Sequence, residues 1–268
     1  MRVRVLGVPI DPLTMGDAVE RIAQRAAEPG SRPVYVLKPY VEFFGSRAGA
    51  GLGEIFEGAW LSLADGVAVQ WAAAYDRLPH HRTVDLVRSL AGIVLRPGSV
   101  AAVVPERTAG VTFTLSLLEE CRERGLRVFL IGSPKANPIA TTAQHLEGLL
   151  PGLRLVGTAP GRIDGGSEAV LVDGLRRAAP DVILVGLGFP LQERLMARLA
   201  GRLEHGVLIG EGGSFDFREL GGRIRRAPPG LRRVGLEWLW RLGREPRRLR
   251  RQLAIPRFVV AVHRQARR

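Results

Sequence analysis

Asp65 lies in Ala64-Asp65-Gly66, directly after the apolar run Ala59–Leu63. A carboxylate at the C-terminal end of a strand can reach a ligand and remove a proton as a general base. The same residue could cap the helix that follows, and spacing alone does not separate the two roles. Asp216, in Gly213-Ser214-Phe215-Asp216-Phe217, carries the same pair of readings. Gln192 and Glu193 follow Gly188-Phe189-Pro190 at the start of a helix, where an amide beside a glycine-rich loop could bind a base or a sugar. Glycines cluster after Ile131 (Gly132), after Val185 (Gly186 and Gly188) and after Ile209 (Gly212 and Gly213). Backbone N–H groups in such places can cradle a phosphate or a nucleotide. Turns need glycine too, so the signal is its recurrence at three strand ends.

Other chemistries lack their motifs. No Gly-x-x-x-x-Gly-Lys-Ser/Thr is present, which argues against a P-loop enzyme. No Gly-x-Gly-x-x-Gly follows the first strand, which argues against an ordinary dinucleotide dehydrogenase. Paired Cys/His ligands and Asp-x-Asp are missing, and the adjacent His80 and His81 cannot both face one metal from a helix. Neither a metal nor a cofactor is therefore expected.

The elements that must hold these residues alternate. Strands are expected at Val3–Leu6, Pro33–Leu37, Arg127–Ile131, Leu153–Val156, Val182–Val185 and Gly206–Ile209. Helices are expected at Thr14–Ala27, from beyond Ala64-Asp65-Gly66 through Ala74, and at Thr114–Arg124, Pro138–Leu150, Ser167–Ala178 and Leu191–Leu203. Strand, glycine, helix repeated in this way predicts an α/β fold with a mainly parallel, Rossmann-like sheet and flanking helices. Ligands of such sheets bind outside the carboxyl ends of the strands, where the residues above fall. Asp76–Val104 breaks the alternation and reads as an insertion carrying a helix near Leu90–Leu95.

The 268 residues suffice for a sizeable core, and 46% are apolar. The one cysteine, Cys121, excludes a disulfide framework. No apolar run approaches the roughly 18 residues that span a bilayer. MRVRVLGVPIDP carries no apolar signal segment, which predicts a cytoplasmic protein. Charge is unevenly placed. Basic and acidic residues balance through Gly222, and the whole excess of +13 sits beyond it, where 15 arginines meet only Glu237 and Glu245. The chain therefore divides into an α/β core (1–222, with the insertion at about 76–104) and a basic, helical appendage (223–268). Such an appendage suits an anionic partner. Leu231, Val234, Trp238 and Leu242 share one helical stripe, with Trp240 nearby and arginines beside it, as an amphipathic helix on an anionic membrane surface would have. The alternatives are that the stripe packs on the core, or that the arginines bind nucleic acid.

Several separated motifs resemble one family. They are Ala64-Asp65-Gly66, Val128–Ser133, Leu184–Glu193, Gly212–Phe217, Arg226-Ala227-Pro228 and Gly235–Leu242 followed by Glu245-Pro246. Together they resemble the WecG/TagA/CpsF family of bacterial glycosyltransferases. The resemblance implies inverting transfer of an N-acetylhexosamine, N-acetylmannosamine in the best-known members, from a UDP-sugar. The implied acceptor is N-acetylglucosamine on undecaprenyl diphosphate, and the products feed teichoic acid or other cell-surface polysaccharide. It implies that Asp65 is the base, that Arg107 and Gln192 bind substrate, and that Arg241, Arg248 and Arg251 neutralise the departing diphosphate. The basic, tryptophan-bearing segment is read as holding the chain peripherally at the inner face of the cell membrane, with no nucleic-acid partner. Self-association is left open.

The chain departs from the family pattern near the expected sugar site. Lys38-Pro39-Tyr40 stands in place of Thr-x-Asn, Thr112 in place of an Asp, and Glu211 within the Gly-rich group. Lys38 and Tyr40 are therefore read as substrate contacts, Lys38 for a phosphate or an acidic sugar. The alternatives are that Lys38 pairs with Glu211, and that the chain is an inactive relative that only binds nucleotide-sugar.

Overall fold

The computed structural model describes residues 1–44, 51–108, 110–132, 138–161, 165–233, 237–244 and 253–268, with backbone only at Pro97, Gly165, Arg233, Trp238, Arg241 and Arg244. It opens with an antiparallel hairpin, β1 (Val3–Val5) and β2 (Val8–Ile10), apart from the main sheet. The expected first strand is therefore half of a hairpin. Helix α1 (Met15–Ala27) follows, capped by Thr14, whose Oγ1 accepts the Asp17 N–H at 3.1 Å.

β3 (Val34–Leu37), α2 (Gly53–Gly58), β4 (Leu61–Ser62) and α3 (Val67–Tyr75) come next, with a 3₁₀ turn at Val41–Phe44. The expected insertion is α4 (Thr83–Leu95) and a 3₁₀ turn at Pro97–Ala102. Beyond it lie α5 (Gly110–Glu123), β5 (Arg127–Gly132), α6 (Ile139–Leu149), β6 (Arg154–Pro160), α7 (Gly165–Ala178), β7 (Val182–Gly186), α8 (Leu191–Ala200) and β8 (Val207–Gly210). Two further 3₁₀ turns, Ser214–Asp216 and Arg218–Leu220, lead to α9 (Pro229–Arg233), α10 (Glu237–Arg244) and α11 (Ala254–Ala266).

The main sheet has six parallel strands in the order β4-β3-β8-β7-β5-β6. β7 and β8 are buried throughout, which is why they read as unbroken apolar runs. Their side chains alternate between faces. Ile183, Val185 and Leu208 enter one core cluster, while Val182, Leu184, Val207 and Ile209 enter the other. The connection from β5 runs outward to β6, and that from β7 runs the other way to β8. A crevice therefore opens between β5 and β7 at their carboxyl ends, where ligands of open α/β sheets bind.

The last helix does not behave as an appendage to a finished core. Phe258 and Val262 are buried in the same cluster as Trp71 and Tyr75, and the Phe258 ring lies 5.1 Å from that of Phe44. Tyr75 Oη and His263 Nδ1 are hydrogen-bonded at 2.7 Å. The 222/223 boundary, drawn from charge, is therefore not a packing boundary for α11. Charge reports what faces solvent, and α11 turns its apolar side inward.

Candidate active site

Parallel strands bring their carboxyl ends to one edge, so Lys38, Tyr40, Asp65, Gly132, Gly186, Gly188, Gly212 and Gly213 all belong to strand ends or to the turns after them. A line of hydrogen bonds runs along this edge. Asp65 N–H donates to the Pro39 carbonyl at 3.0 Å, joining the ends of β4 and β3. Thr108 holds the preceding peptide: its N–H (3.0 Å) and its Oγ1 (3.1 Å) both donate to the Ala64 carbonyl. The backbone on each side of the Asp65 Cα is thus pinned, and Gly66 takes a φ of 99° that releases the chain into α3. Thr108, fully buried, was missed by sequence reasoning because no local pattern marks a threonine that reaches a strand end 44 residues away.

Lys38 Nζ donates to Glu211 Oε2 at 2.8 Å, joining β3 to β8, and Glu211 N–H donates to the Val185 carbonyl at 2.7 Å, joining β8 to β7. Thr114 Oγ1 donates to the same Glu211 oxygen at 2.6 Å. Of the two roles considered for Lys38, the structure forms the pair with Glu211. Two departures from the family pattern therefore offset each other inside the protein.

Gln192 is buried, and its side chain is spent on its own neighbours. Oε1 accepts N–H groups from Gly188 (3.2 Å) and Gly212 (2.9 Å), and Nε2 donates to Glu193 Oε1 at 2.7 Å. Gln192 thus bonds to groups of the chain itself. It is a strut between two glycine loops, both of which take positive φ. Glu193 is fully buried beside it, and burial pushes its carboxyl up to about 7.

Gly132 and Gly186 pair across the crevice strands, and each has a packing reason to be glycine. A Cβ at Gly132 would lie 2.7 Å from Ile139, and one at Gly186 would lie 2.4 Å from the Phe215 ring. The sequence could not distinguish this from close approach of a phosphate. Tyr40 Oη donates to Glu42 at 3.3 Å, and its ring meets Phe43 and Phe189 edge-on. Asp216 is half-buried in its 3₁₀ turn, where its carbonyl accepts Ile224 N–H at 2.8 Å.

Arg107 links this edge to the basic segment. Its guanidinium donates to the Arg232 carbonyl of α9. Burial pulls its proton affinity down, against the opposing charges of Glu237 and Asp65. Arg226 donates to Thr112 Oγ1 at 3.0 Å and faces Glu237 at 3.8 Å. Asp65, Arg107 and Glu237 thus form one electrostatic group spanning the core and α10. The Arg241 side chain, Arg248 and Arg251 lie outside the described residues. Among the described residues no group of His, Cys, Asp and Glu is placed to hold a metal ion.

A six-strand parallel sheet flanked by helices, with a carboxylate, a cation in its field and braced glycine loops gathered at one edge, defines a Rossmann-like α/β protein and makes that edge its candidate site. Comparison with known proteins narrows this class. A model of the Glycosyl transferase WecG/TagA/CpsF family matches residues 3–94 and 91–268, and the chain belongs to that family. A relative from Bacillus spizizenii, named N-acetylglucosaminyldiphosphoundecaprenol N-acetyl-beta-D-mannosaminyltransferase, is 33% identical over 171 residues. A protein of the same name from Bacillus subtilis is 30% identical over the same length. Each match covers 64% of this chain and 65% of the relative, a little under two thirds of its length.

Proposed function

We propose that this chain is an inverting glycosyltransferase that moves an N-acetylmannosamine-like N-acetylhexosamine from a UDP-sugar to N-acetylglucosamine on undecaprenyl diphosphate, in cell-surface polysaccharide or teichoic acid synthesis. The observation that carries the reading is the double pinning of Asp65 at the sheet edge, within the field of Arg107. Family membership and the activity named for both relatives support it.

In this reading Asp65 takes the proton of the acceptor hydroxyl as its oxygen attacks the anomeric carbon. The bond from that carbon to the donor diphosphate breaks from the opposite face, so the configuration inverts and UDP leaves. Negative charge grows on the diphosphate as it departs, and arginine is the side chain suited to meet it. Arg107, Arg241, Arg248 and Arg251 take that role, and the Gly188 and Gly212–Gly213 loops line the nucleotide. Tyr40 and Asp216 are assigned to the sugar. No helix among the described residues is long and apolar enough to cross a membrane, and the proposed lipid-linked acceptor implies work at the inner face of the cell membrane.

A panel of UDP-sugars offered with undecaprenyl-diphosphate-linked N-acetylglucosamine tests the proposal. Release of UDP with a β-linked disaccharide product is expected for UDP-N-acetylmannosamine or a near analogue. Binding of UDP-sugars without turnover of any of them would reject the transferase reading.

A further inference from the structure

Helix α4 has apolar side chains on two sides. Leu86, Leu90 and Ile93 pack against the core, and Ser89 Oγ receives the Trp71 indole N–H at 3.1 Å. The adjoining side carries Val84, Val87, Ala91, Val94 and Leu95, spaced so that all five fall within about 100° of helix surface. They face solvent: Val84 is 48% exposed, Val87 61%, Val94 50% and Leu95 77%. A continuous exposed apolar stripe of this kind marks an interaction surface.

The charges around the stripe choose its partner. Arg88 flanks it, Arg82 and Arg96 stand at the two helix ends, and all three are exposed. The single carboxylate of the helix, Asp85, is spent locally, accepting the Arg82 backbone N–H at 2.9 Å. A second copy of the chain packed about a two-fold axis would bring this arginine-flanked face against itself, with no uncommitted carboxylate from either helix. An anionic lipid surface supplies both an apolar layer for the valines and leucine and phosphates for the arginines.

We infer that α4 is a membrane-contact helix, which lies in the interface of an anionic bilayer with Val84, Val87, Ala91, Val94 and Leu95 among the acyl chains and Arg82, Arg88 and Arg96 at the headgroups. In sequence this helix lies in the 76–104 insertion, outside the arginine-rich segment beyond Gly222. The helix is tied through Trp71 to α3, which starts two residues after Asp65. Under the transferase reading, that is where a lipid-linked acceptor arrives, but the contact itself does not depend on that reading.

The test uses the full chain and no activity assay. Cys121 is buried, with its thiol pushed up to about 12 by that burial, so it competes poorly for a thiol reagent. A nitrobenzoxadiazole label on Val87→Cys should brighten and shift to the blue with phosphatidylglycerol vesicles, and not with phosphatidylcholine vesicles. In sedimentation with phosphatidylglycerol vesicles, Val87→Asp/Val94→Asp should bind on the order of tenfold or more weakly. Its circular dichroism and melting temperature should be unchanged, since both positions are exposed. A label that stays in a water-like environment on phosphatidylglycerol, or a double variant that binds like the parent, would overturn the inference. So would a dimer in analytical ultracentrifugation that the double variant loses while vesicle binding persists, because the stripe would then be a contact between copies.

Discussion

Lys38 Nζ lies 2.8 Å from Glu211 Oε2, with the two side chains 3% and 0% exposed. Thr114 shares that oxygen, and the Lys38 ammonium also sits 4.9 Å from the centre of the Phe113 ring. Removing one half of such a pair leaves an uncompensated buried charge. Lys38→Met should lower the unfolding free energy by about 3–5 kcal/mol. Lys38→Met with Glu211→Gln should recover much of that loss, because the amide still accepts from Thr114. Urea melts of the single and double variants, read as a double-mutant cycle, check this. Equal losses in both would remove charge burial as the cause.

Glu193 predicts a pH effect of definite sign. Its carboxyl rises from an ordinary 4.5 to about 7 in the folded chain, because burial penalises the anion more than the Gln192 amide supports it. The folded state therefore holds a proton that the unfolded state has released. The associated stability is full below 4.5 and falls as pH rises from there to about 7, by on the order of 3 kcal/mol. Glu193→Gln should flatten that part of the stability curve. Denaturant midpoints measured from pH 4 to 8 for both proteins decide it, and a slope that survives the substitution would assign it to another group.

The parallel sheet could be read before the structure because both signals for it are local. Buried central strands such as Val182–Gly186 are unbroken apolar runs, and each ends in glycine. The position of the candidate Asp65 was legible for the same reason: its strand, its glycine and its place at the edge are neighbours in sequence. What could not be read was how residues far apart in sequence divide their hydrogen bonds. That Gln192 braces Gly188 and Gly212 was not legible, because a helix start beside glycines looks the same whether or not the amide does so. Thr108 became visible only once Ala64 lay beside it. The C-terminal segment misled in a different way, since its arginine count is a statement about surface and says nothing of Phe258.

Phe258 predicts that truncation will fail to leave a sound core. The side chain is 1% exposed, its ring faces Phe44, and Val262 and the Tyr75–His263 bond extend the contact by one helical turn. Phe258→Ala should cost about 3–5 kcal/mol. Deleting residues 223–268 should destabilise the remaining chain at least as much, because it also bares the faces of α3 and of the Val41–Phe44 turn. Thermal melts of both proteins test this, and a truncated chain that melts like the parent would restore the 222/223 boundary as a true domain edge.

Asp65 and Thr108 should separate chemistry from positioning. Asp65→Asn keeps the size of the side chain, and its backbone N–H can still donate to Pro39. If Asp65 is the base, kcat for transfer should fall by roughly 10²–10⁴ with the melting temperature nearly unchanged. Thr108→Val keeps the backbone bond to Ala64 and removes only the hydroxyl bond. One neutral hydrogen bond is worth about 0.5–1.5 kcal/mol, so if its loss loosens the Asp65 geometry, kcat should drop by up to about tenfold while KM holds. Thr108→Ser restores the hydroxyl and should restore the rate. A Thr108→Val variant that raises KM and spares kcat would place the residue in substrate binding, and an Asp65→Asn variant with full kcat would take the base role from Asp65.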